Sequence, residues 1–180
     1  MSIAPPIRVE YRLALFDEER QVERNETLII AQHPEESTEH LTLRVLAWCL
    51  LHEPRLEFGA GGRDPGAADL WSHDLTGRLA TWIECGAVDG EKLRKVVQHH
   101  RDARVHVVDD DLARAEAVAA ELARWRRAHG VTFWIVDAAL VASLAAIDLR
   151  RHKWSLTLVG GHLYADADGV STDGAITRFS

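Results

Sequence analysis

The chain has 180 residues, of which 47% are hydrophobic and 27% charged, and its formal net charge is −7. This length and composition are typical of one globular domain that can bury a core without disulfide bonds. Net acidity argues against a general nucleic-acid binder, whose surface is normally basic, but it does not exclude an enzyme that acts on nucleic acid. We therefore predict a single domain over residues 1–180.

The cysteines and the apolar runs indicate the compartment. Cys49 and Cys85 lie in apolar runs and form no CxxC pair, so we predict that both are buried thiols in a reducing environment. The amino-terminal residues lack the apolar segment of a signal peptide, and no apolar run approaches the roughly 20 residues that cross a bilayer. We expect a cytoplasmic protein without a membrane partner.

The first half of the chain predicts a hairpin, a helix and short strands. Apolar and polar residues alternate in IRVEYRLALF from Ile7, which predicts a strand with one solvated face, and ETLIIAQH predicts its hairpin partner. PEESTEHLTLRVLAWCLLH predicts a helix from Pro34, because proline and acidic residues suit a first turn and apolar residues recur at helical spacing. RLEF then predicts a short strand before the loop GAGGRDPGAADLW, where GAGG is best explained as a turn.

The second half alternates between strands and helices. GRLATWIECG predicts a strand that ends at Gly86, and Asp89 can cap a helix that turns Leu93 and Val96 inward. ARVHVV, a long helix from DDD, VTFWIV and a short apolar helix follow, and KWSLTLVGGHLYADADG predicts a closing hairpin around its Gly-Gly pair. We predict an α/β or α+β domain whose mixed sheet is covered by helices, with parallel neighbours after residue 78.

Several motifs that would identify a function are missing. The chain has no GxGxxG, GxxxxGK[ST] or GxSxG sequence. Its ten histidines form no HExxH pair, and His33, Glu36 and His40 come nearest to one. Because His33 precedes the helix-start proline, one helix face does not collect all three side chains. A helix-start cluster is therefore favoured over a zinc site.

An acidic set with one lysine remains as the candidate site. Its members are Glu39 on the first helix, Asp69 after the Gly-rich loop, Glu84 at a strand end and Lys95 on the next helix. Two carboxylates on adjacent strands can hold Mg²⁺, and a lysine can orient a nucleophile. A helix from Asp89 that packs back across the sheet would carry Lys95 about 9 Å along its axis, toward Glu84. Spacing alone also permits surface ion pairs or a structural ion-pair cluster.

A basic strip follows the same strand. Its members are Lys92, Arg94, Lys95, His99, His100, Arg101 and Arg104. A solvated helix face explains such a strip, and a local contact with nucleic acid is the alternative.

Four blocks of sequence resemble the YaeQ family, bacterial proteins built on the restriction-endonuclease-like PD-(D/E)XK fold. The blocks are AQHPEESTEHLTLRVLAW, RLEFGAGG, DLW with LTG and WIECG, and DGEKLRKV; the tail SLTLVGGHLYAD is similar more loosely. The resemblance implies a mixed β-sheet flanked by helices, with an α-β-β-β-α-β core and added amino- and carboxyl-terminal strands.

The resemblance also implies roles for the acidic set. Asp69 matches the aspartate of the family's PD, Glu84 matches the acid of its ExK, and Glu39 matches a supporting acid on the first helix. Gly86 occupies the lysine position of ExK, and the lysine is thought to have moved to the following helix, where Lys95 matches it.

The resemblance covers two further positions without implying a role for either of them. Arg44 matches a family arginine on the first helix, to which the resemblance assigns no role. Ala68 stands where the family often has proline before the aspartate, a departure that concerns the geometry of the loop.

The function implied is that of a nuclease-like phosphodiesterase. Asp69, Glu84 and Glu39 would hold Mg²⁺ or Mn²⁺, Lys95 would position the attacking water, and the partner would be DNA or RNA. The alternative is a non-catalytic binding or regulatory protein that retains the nuclease fold. Net acidity and a size that leaves no separate DNA-recognition domain motivate that alternative.

Overall fold

The computed structural model describes residues 5–59, 66–125 and 130–180. Most of the GAGG turn predicted at 59–62 lies outside these ranges. The elements, in chain order, are β1 (Ile7–Asp17), β2 (Val22–Gln32), α1 (Thr38–Leu50), β3 (Glu57–Phe58), β4 (Leu70–His73), β5 (Leu79–Cys85), α2 (Gly90–His99), β6 (Arg104–Asp109), α3 (Leu112–Ala123), β7 (Val131–Val136), α4 (Ala138–Ala145), β8 (Arg151–Val159), β9 (His162–Ala167) and β10 (Val170–Phe179).

The chain divides into two compact units. One unit contains Met1–Thr42 and Val136–Ile176, and the other contains Leu43–Ile135 and Thr177–Ser180. Both are mixtures of helix and strand, which confirms the α/β class. The prediction that residues 1–180 form one domain is not decided by this division and stays a prediction.

The first unit is built on the strand order β2-β1-β8-β9-β10. The β1–β2 hairpin is antiparallel, and β1 buries alternate residues from Val9 to Leu15, as its sequence pattern predicted. β8 runs parallel to β1 and turns into β9 through Gly160 and Gly161, whose φ angles of 57° and 70° are those of a tight hairpin. The closing hairpin is confirmed, and β10 extends it by one antiparallel strand.

The second unit contains the strands β3 to β7 and the helices α2 and α3. β3, β4 and β5 pair antiparallel, whereas β5, β6 and β7 pair parallel through the connecting helices. The parallel neighbours predicted after residue 78 are therefore confirmed. Its core consists of residues that these strands and helices bury: Ala68, Trp82, Leu93, Val96, Val105, Val107, Ala115, Leu122, Val131, Phe133 and Ile135.

Helix α1 begins at Thr38, four residues after the proline at which the sequence predicted its start. The hydroxyl of Ser37 accepts a hydrogen bond from the main-chain N–H of His40 at 3.1 Å, so Ser37 caps the helix. The main chain before it forms a separate turn, in which the N–H of Glu36 donates to the carbonyl of His33. The cap formed by Ser37, and not Pro34, therefore determines where α1 begins.

The histidines near this start support the cap structure. Glu36 accepts hydrogen bonds from the ring of His40 at 2.8 Å and from the main-chain N–H of His33 at 3.4 Å. No group of three or more His, Cys, Asp or Glu side chains in residues 5–59, 66–125 and 130–180 is arranged to hold a metal ion. A helix-start cluster therefore describes these residues, as the sequence indicated.

Both cysteines are free and buried, as their apolar neighbours predicted. Of the helices that the structure describes, none combines the length and the apolarity that a membrane crossing requires.

Candidate functional site

Glu84 is a buried carboxylate near the end of β5. Its exposed fraction is 5%, because β5 pairs with β4 on one side and with β6 on the other. Trp82 lies two residues earlier and therefore on the same face, where its indole Nε1 donates a hydrogen bond to Glu84 Oε1 at 2.6 Å. Burial raises the pKa of Glu84, hydrogen bonding and charge attraction by Lys92 oppose that rise, and the charge of Asp69 adds to it.

Asp69, immediately before β4, lies beside the residues at the end of β5. β4 pairs with β5 so that Leu70 lies opposite Ile83, and the main-chain N–H of Asp69 donates to the carbonyl of Ile83 at 3.0 Å. The Asp69 carboxylate accepts a hydrogen bond from the main-chain N–H of Cys85 at 2.8 Å. The ladder that pairs the two strands thus holds Asp69 and Glu84 as near neighbours.

Lys92 is the lysine that reaches Glu84. Its ammonium nitrogen lies 2.8 Å from Glu84 Oε1 and donates to Glu84 Oε2 at 3.0 Å. It also donates to the carbonyl of Ala67 at 2.8 Å and lies 5.9 Å from the ring centroid of Trp82. The Ala67 carbonyl and the Trp82 ring therefore help to hold this ammonium against the buried Glu84 carboxylate.

Lys95, which the resemblance assigned to this place, lies on another face of α2. Its ammonium is 3.7 Å from a carboxylate oxygen of Glu91, and its side chain is 62% exposed. The lysine that contacts Glu84 is thus Lys92, three residues before the predicted Lys95. Helical periodicity explains the difference, because Lys92 lies four residues before the buried Val96, whereas Lys95 lies four after Glu91 and four before the exposed His99. That spacing was the signal in the sequence that could have identified Lys92.

Glu39, the third predicted acid, is exposed on the first turn of α1 and belongs to the first compact unit. Its carboxylate accepts a hydrogen bond from the hydroxyl of Thr38 at 3.4 Å. Asp69 and Glu84 both belong to the second unit. The contacts described here therefore join two of the three predicted acids.

Arg44 supports the main chain beside Asp69. It is fully buried, donates a hydrogen bond to the carbonyl of Gly59 at 2.9 Å and lies 5.5 Å from the ring centroid of Phe58. The N–H of Gly59 in turn donates to the carbonyl of Asp69 at 2.8 Å. Arg44 thus acts on Asp69 through Gly59, and sequence reasoning had left this residue without a role.

A family model described as "YaeQ protein" matches residues 1–175. The chain belongs to the YaeQ family. "Uncharacterized protein YaeQ" of Salmonella typhi is 23% identical over 145 residues, which cover 76% of this chain and 75% of the relative. The protein of the same name from Escherichia coli strain K12 is 32% identical over 69 residues, 38% of either chain.

Two solved YaeQ structures share the fold. The crystal structure of the YaeQ protein from Xanthomonas axonopodis pv. citri is similar with a TM-score of 0.85 and 27% identity, covering 96% of this chain and 97% of that one. The YaeQ protein from Pseudomonas syringae has a TM-score of 0.85 and 23% identity, with coverages of 97% and 96%. The architecture of this YaeQ chain is therefore the architecture of its family.

Proposed function

We propose that this YaeQ chain is a metal-dependent phosphodiester hydrolase of the PD-(D/E)XK type, with a nucleic acid as its substrate. The observation that carries the proposal is the cluster of Asp69, Glu84 and Lys92. Glu84 and Lys92 are in contact, Asp69 bonds to the neighbouring main chain of Cys85, and hydrolysis of a phosphodiester by a bound metal ion requires two acids and one lysine of this kind.

The element order of the chain supports the superfamily part of the proposal. The segment from α1 to β6 runs helix, three strands, helix, strand, which is the α-β-β-β-α-β order expected of a restriction-endonuclease-like core. Asp69 stands immediately before the second of those strands, and Glu84 lies on the third. This order along the chain supports the roles that the resemblance implies for the two acids.

The donor chemistry fits Mg²⁺ or Mn²⁺. Asp69 and Glu84 offer carboxylate oxygens in a buried setting, and hard cations bind such oxygens while keeping several waters. When bound there, the ion polarises a phosphate oxygen and lowers the pKa of a water molecule. For Glu39, the supporting role stays a prediction from the resemblance.

Lys92 carries the positioning role in this proposal, in place of Lys95. Its ammonium is held between the carbonyl of Ala67 and the carboxylate of Glu84, where it can orient the attacking water and offset negative charge that develops on the phosphate. Trp82 fixes the orientation of Glu84 through its N–H group. Because the group is buried, each of these interactions is stronger than it is in water.

Cleavage of nucleic acid tests the proposal directly. The purified protein is incubated with Mg²⁺ or Mn²⁺ and a panel of single- and double-stranded DNA and RNA of defined length. We expect new shorter products from at least one member, and we expect none in EDTA, because hydrolysis depends on the ion. Gel analysis of end-labelled substrates measures both the rate and the position of cleavage.

The Glu84→Gln variant, purified in parallel, sets the background of this assay. Glutamine keeps the shape of the side chain and accepts the hydrogen bond from Trp82, but it removes the charge. If no substrate is cut faster by the wild-type protein than by this variant, hydrolysis of nucleic acid is the wrong function.

One observation favours a second function, that of a non-catalytic binding or regulatory protein. Glu84 already accepts hydrogen bonds from Trp82 and Lys92, so its charge is balanced without an ion. A nuclease fold that has lost its metal could retain such a closed ion pair for stability. The two functions differ in whether the carboxylate pair binds a cation.

Titration calorimetry with Mn²⁺ distinguishes the two functions. For a hydrolase we expect one site per chain in the wild-type protein and at least a 10-fold weaker site in Asp69→Asn, because one of two anionic ligands is lost. Asp74→Asn is the matched control, since Asp74 is exposed and outside the cluster. Equal Mn²⁺ binding by all three proteins, or no binding at all, favours the non-catalytic function.

A further inference from the structure

A cleft of about 670 Å³ lies in the second unit, between the β4–β5 turn and the segment that joins α2 to β6. Both borders belong to the same unit, so the cleft is a local feature of that unit. It opens at the start of β5, where Leu79 lines it, whereas Glu84 lies near the other end of this strand. Five residues at about 3.3 Å each separate the two places by about 17 Å.

The charges in the cleft are more positive than those of the chain as a whole. Its charged lining residues are Arg78, Arg101, Arg104, Asp74 and Asp102. With Glu53 counted against Arg104, these charges balance, whereas the whole chain has a net charge of −7. An anionic ligand is therefore repelled less at the cleft than by the acidic protein as a whole.

Two of these arginines are available to a ligand. Arg104 is already engaged, because its guanidinium is 2.5 Å from the Glu53 carboxylate and donates to the Thr81 hydroxyl at 2.9 Å. Arg101 is exposed and has no hydrogen bond or ion pair within the described part of the chain. The Arg78 side chain is likewise exposed, and no salt bridge engages it within the same ranges.

The acid nearest to Arg78 is occupied by its own turn. Asp74 accepts hydrogen bonds from the main-chain N–H of Thr76 at 2.7 Å, from the Thr76 hydroxyl at 2.7 Å and from the main-chain N–H of Arg78 at 3.0 Å. These bonds lower the pKa of Asp74, with the hydroxyl of Thr76 as the first cause. The Arg78 guanidinium therefore keeps its hydrogen-bond donors for a ligand.

Rings of tryptophan and histidine form another part of the cleft wall. Trp71 is half-buried, with the ring of His73 edge-on at 6.0 Å, and exposed His100 stacks at 6.4 Å on Trp82. Trp82 also donates the hydrogen bond to Glu84. One residue thus belongs to the back of the cleft and to the candidate catalytic cluster.

We propose that this cleft binds a single-stranded nucleic acid, with phosphates on Arg78 and Arg101 and a base against Trp71, several nucleotides from Glu84. Free guanidinium groups beside accessible rings are the usual means of holding a single strand without regard to its sequence. The inference rests on the proposed function, because it gives that function its substrate class. The binding it describes, however, needs no metal ion.

Fluorescence anisotropy with 5′-labelled dT12 and rU12 tests the cleft in EDTA, where no cleavage occurs. The wild-type protein binds at least one of them, and Arg78→Ala/Arg101→Ala binds it about 10-fold or more weakly at low salt. Because two phosphate contacts are lost, the slope of log affinity against log salt concentration falls by about 1.4. Arg8→Ala/Arg12→Ala, which removes the same charge from the first unit, leaves the affinity and the slope unchanged.

A second pair of variants tests the ring independently of charge. Trp71→Phe retains a stacking surface and keeps most of the affinity, whereas Trp71→Leu lowers it about 5-fold or more. Circular dichroism checks that both variants are folded. Equal binding by the wild-type protein and the double arginine variant overturns the proposal that the cleft binds a single strand. The same follows if the wild-type protein binds a 12-base-pair duplex as tightly as it binds the single strands.

The outcomes for the cleft and for the hydrolase can be told apart. Binding in EDTA that depends on the two arginines supports the cleft, even where no substrate is cleaved. If Arg78→Ala/Arg101→Ala leaves the rate and the KM of metal-dependent cleavage unchanged, the proposal of single-strand binding in the cleft is wrong, whereas the proposed hydrolase activity is supported.

Discussion

Replacing Lys92 by glutamine is expected to lower the rate of metal-dependent cleavage about 100- to 1,000-fold, the usual effect of removing one charge-stabilising group from a buried site. Glutamine keeps the length of most of the stem but cannot supply an ammonium to Glu84 or to a phosphate. Glu84→Gln is expected to have an effect at least as large, because it removes a proposed ligand. The measured quantity is the initial rate of cleavage at saturating Mg²⁺.

Lys95→Gln is the matched control for this prediction. It makes the same chemical change three residues away on the same helix, at a side chain that is 62% exposed and contacts Glu91. We expect its rate to remain within about twofold of wild type, since surface ion pairs contribute little. Loss of activity in Lys95→Gln together with full activity in Lys92→Gln would contradict the role given to Lys92.

Folding must be separated from catalysis in these variants. Lys92→Gln leaves the buried Glu84 without its cation, and an uncompensated buried charge destabilises a protein. The double variant Lys92→Gln/Glu84→Gln removes both charges and should recover stability but not activity. Thermal unfolding of the single and double variants, beside the cleavage assay, measures the two effects separately.

Gly59→Ala is expected to lower the free energy of unfolding by about 3 kcal/mol or more. An added Cβ at Gly59 would overlap the carbonyl oxygen of Ala68, which is main chain and cannot move aside as a flexible side chain does. Gly59 also carries the hydrogen bonds that connect Arg44 with Asp69. Urea unfolding measured by tryptophan fluorescence gives the change in stability.

Gly77→Ala serves as the control for the loss of a glycine. Gly77 has a φ of +80°, so alanine is strained there, but its added Cβ meets nothing within 4 Å. Strain of this kind costs about 1 kcal/mol. An equal loss in the two variants would mean that the close approach of Gly59 to Ala68 contributes nothing of its own.

Gly59→Ala is also expected to weaken Mn²⁺ binding by the folded protein. Because Gly59 donates to the Asp69 carbonyl, a shift of this segment displaces the Asp69 carboxylate as well. We therefore expect Mn²⁺ binding to weaken even at temperatures where the variant is fully folded.

Features that depend on neighbouring residues could be predicted from the sequence. The alternation in β1, the Asp89 cap of α2 and the Gly-Gly turn between β8 and β9 all follow from side chains close along the chain. Each is decided by local sterics or by a hydrogen bond within a few residues. For the same reason Glu84 could be placed near the end of its strand.

Two features were missed or displaced, one of them local and the other dependent on distant residues. Helix α1 begins after Ser37, which caps it, although Pro34 also suits a helix start. Both signals were present in the sequence. The role of Arg44 could not be predicted, because its partner Gly59 lies fifteen residues away and is brought near only by the fold.

Although it left the first residues of β4 in the predicted loop GAGGRDPGAADLW, the sequence by itself determined most of the strands and helices and the position of Glu84 near a strand end. Local propensities and hydrogen bonds between near neighbours are sufficient for those features. Only the tertiary structure showed that Lys92 contacts Glu84, because that contact requires α2 to pack through Leu93 and Val96 against the core that contains Trp82. It also decided that Asp69 lies beside the residues at the end of β5, since that requires the register of β4 against β5.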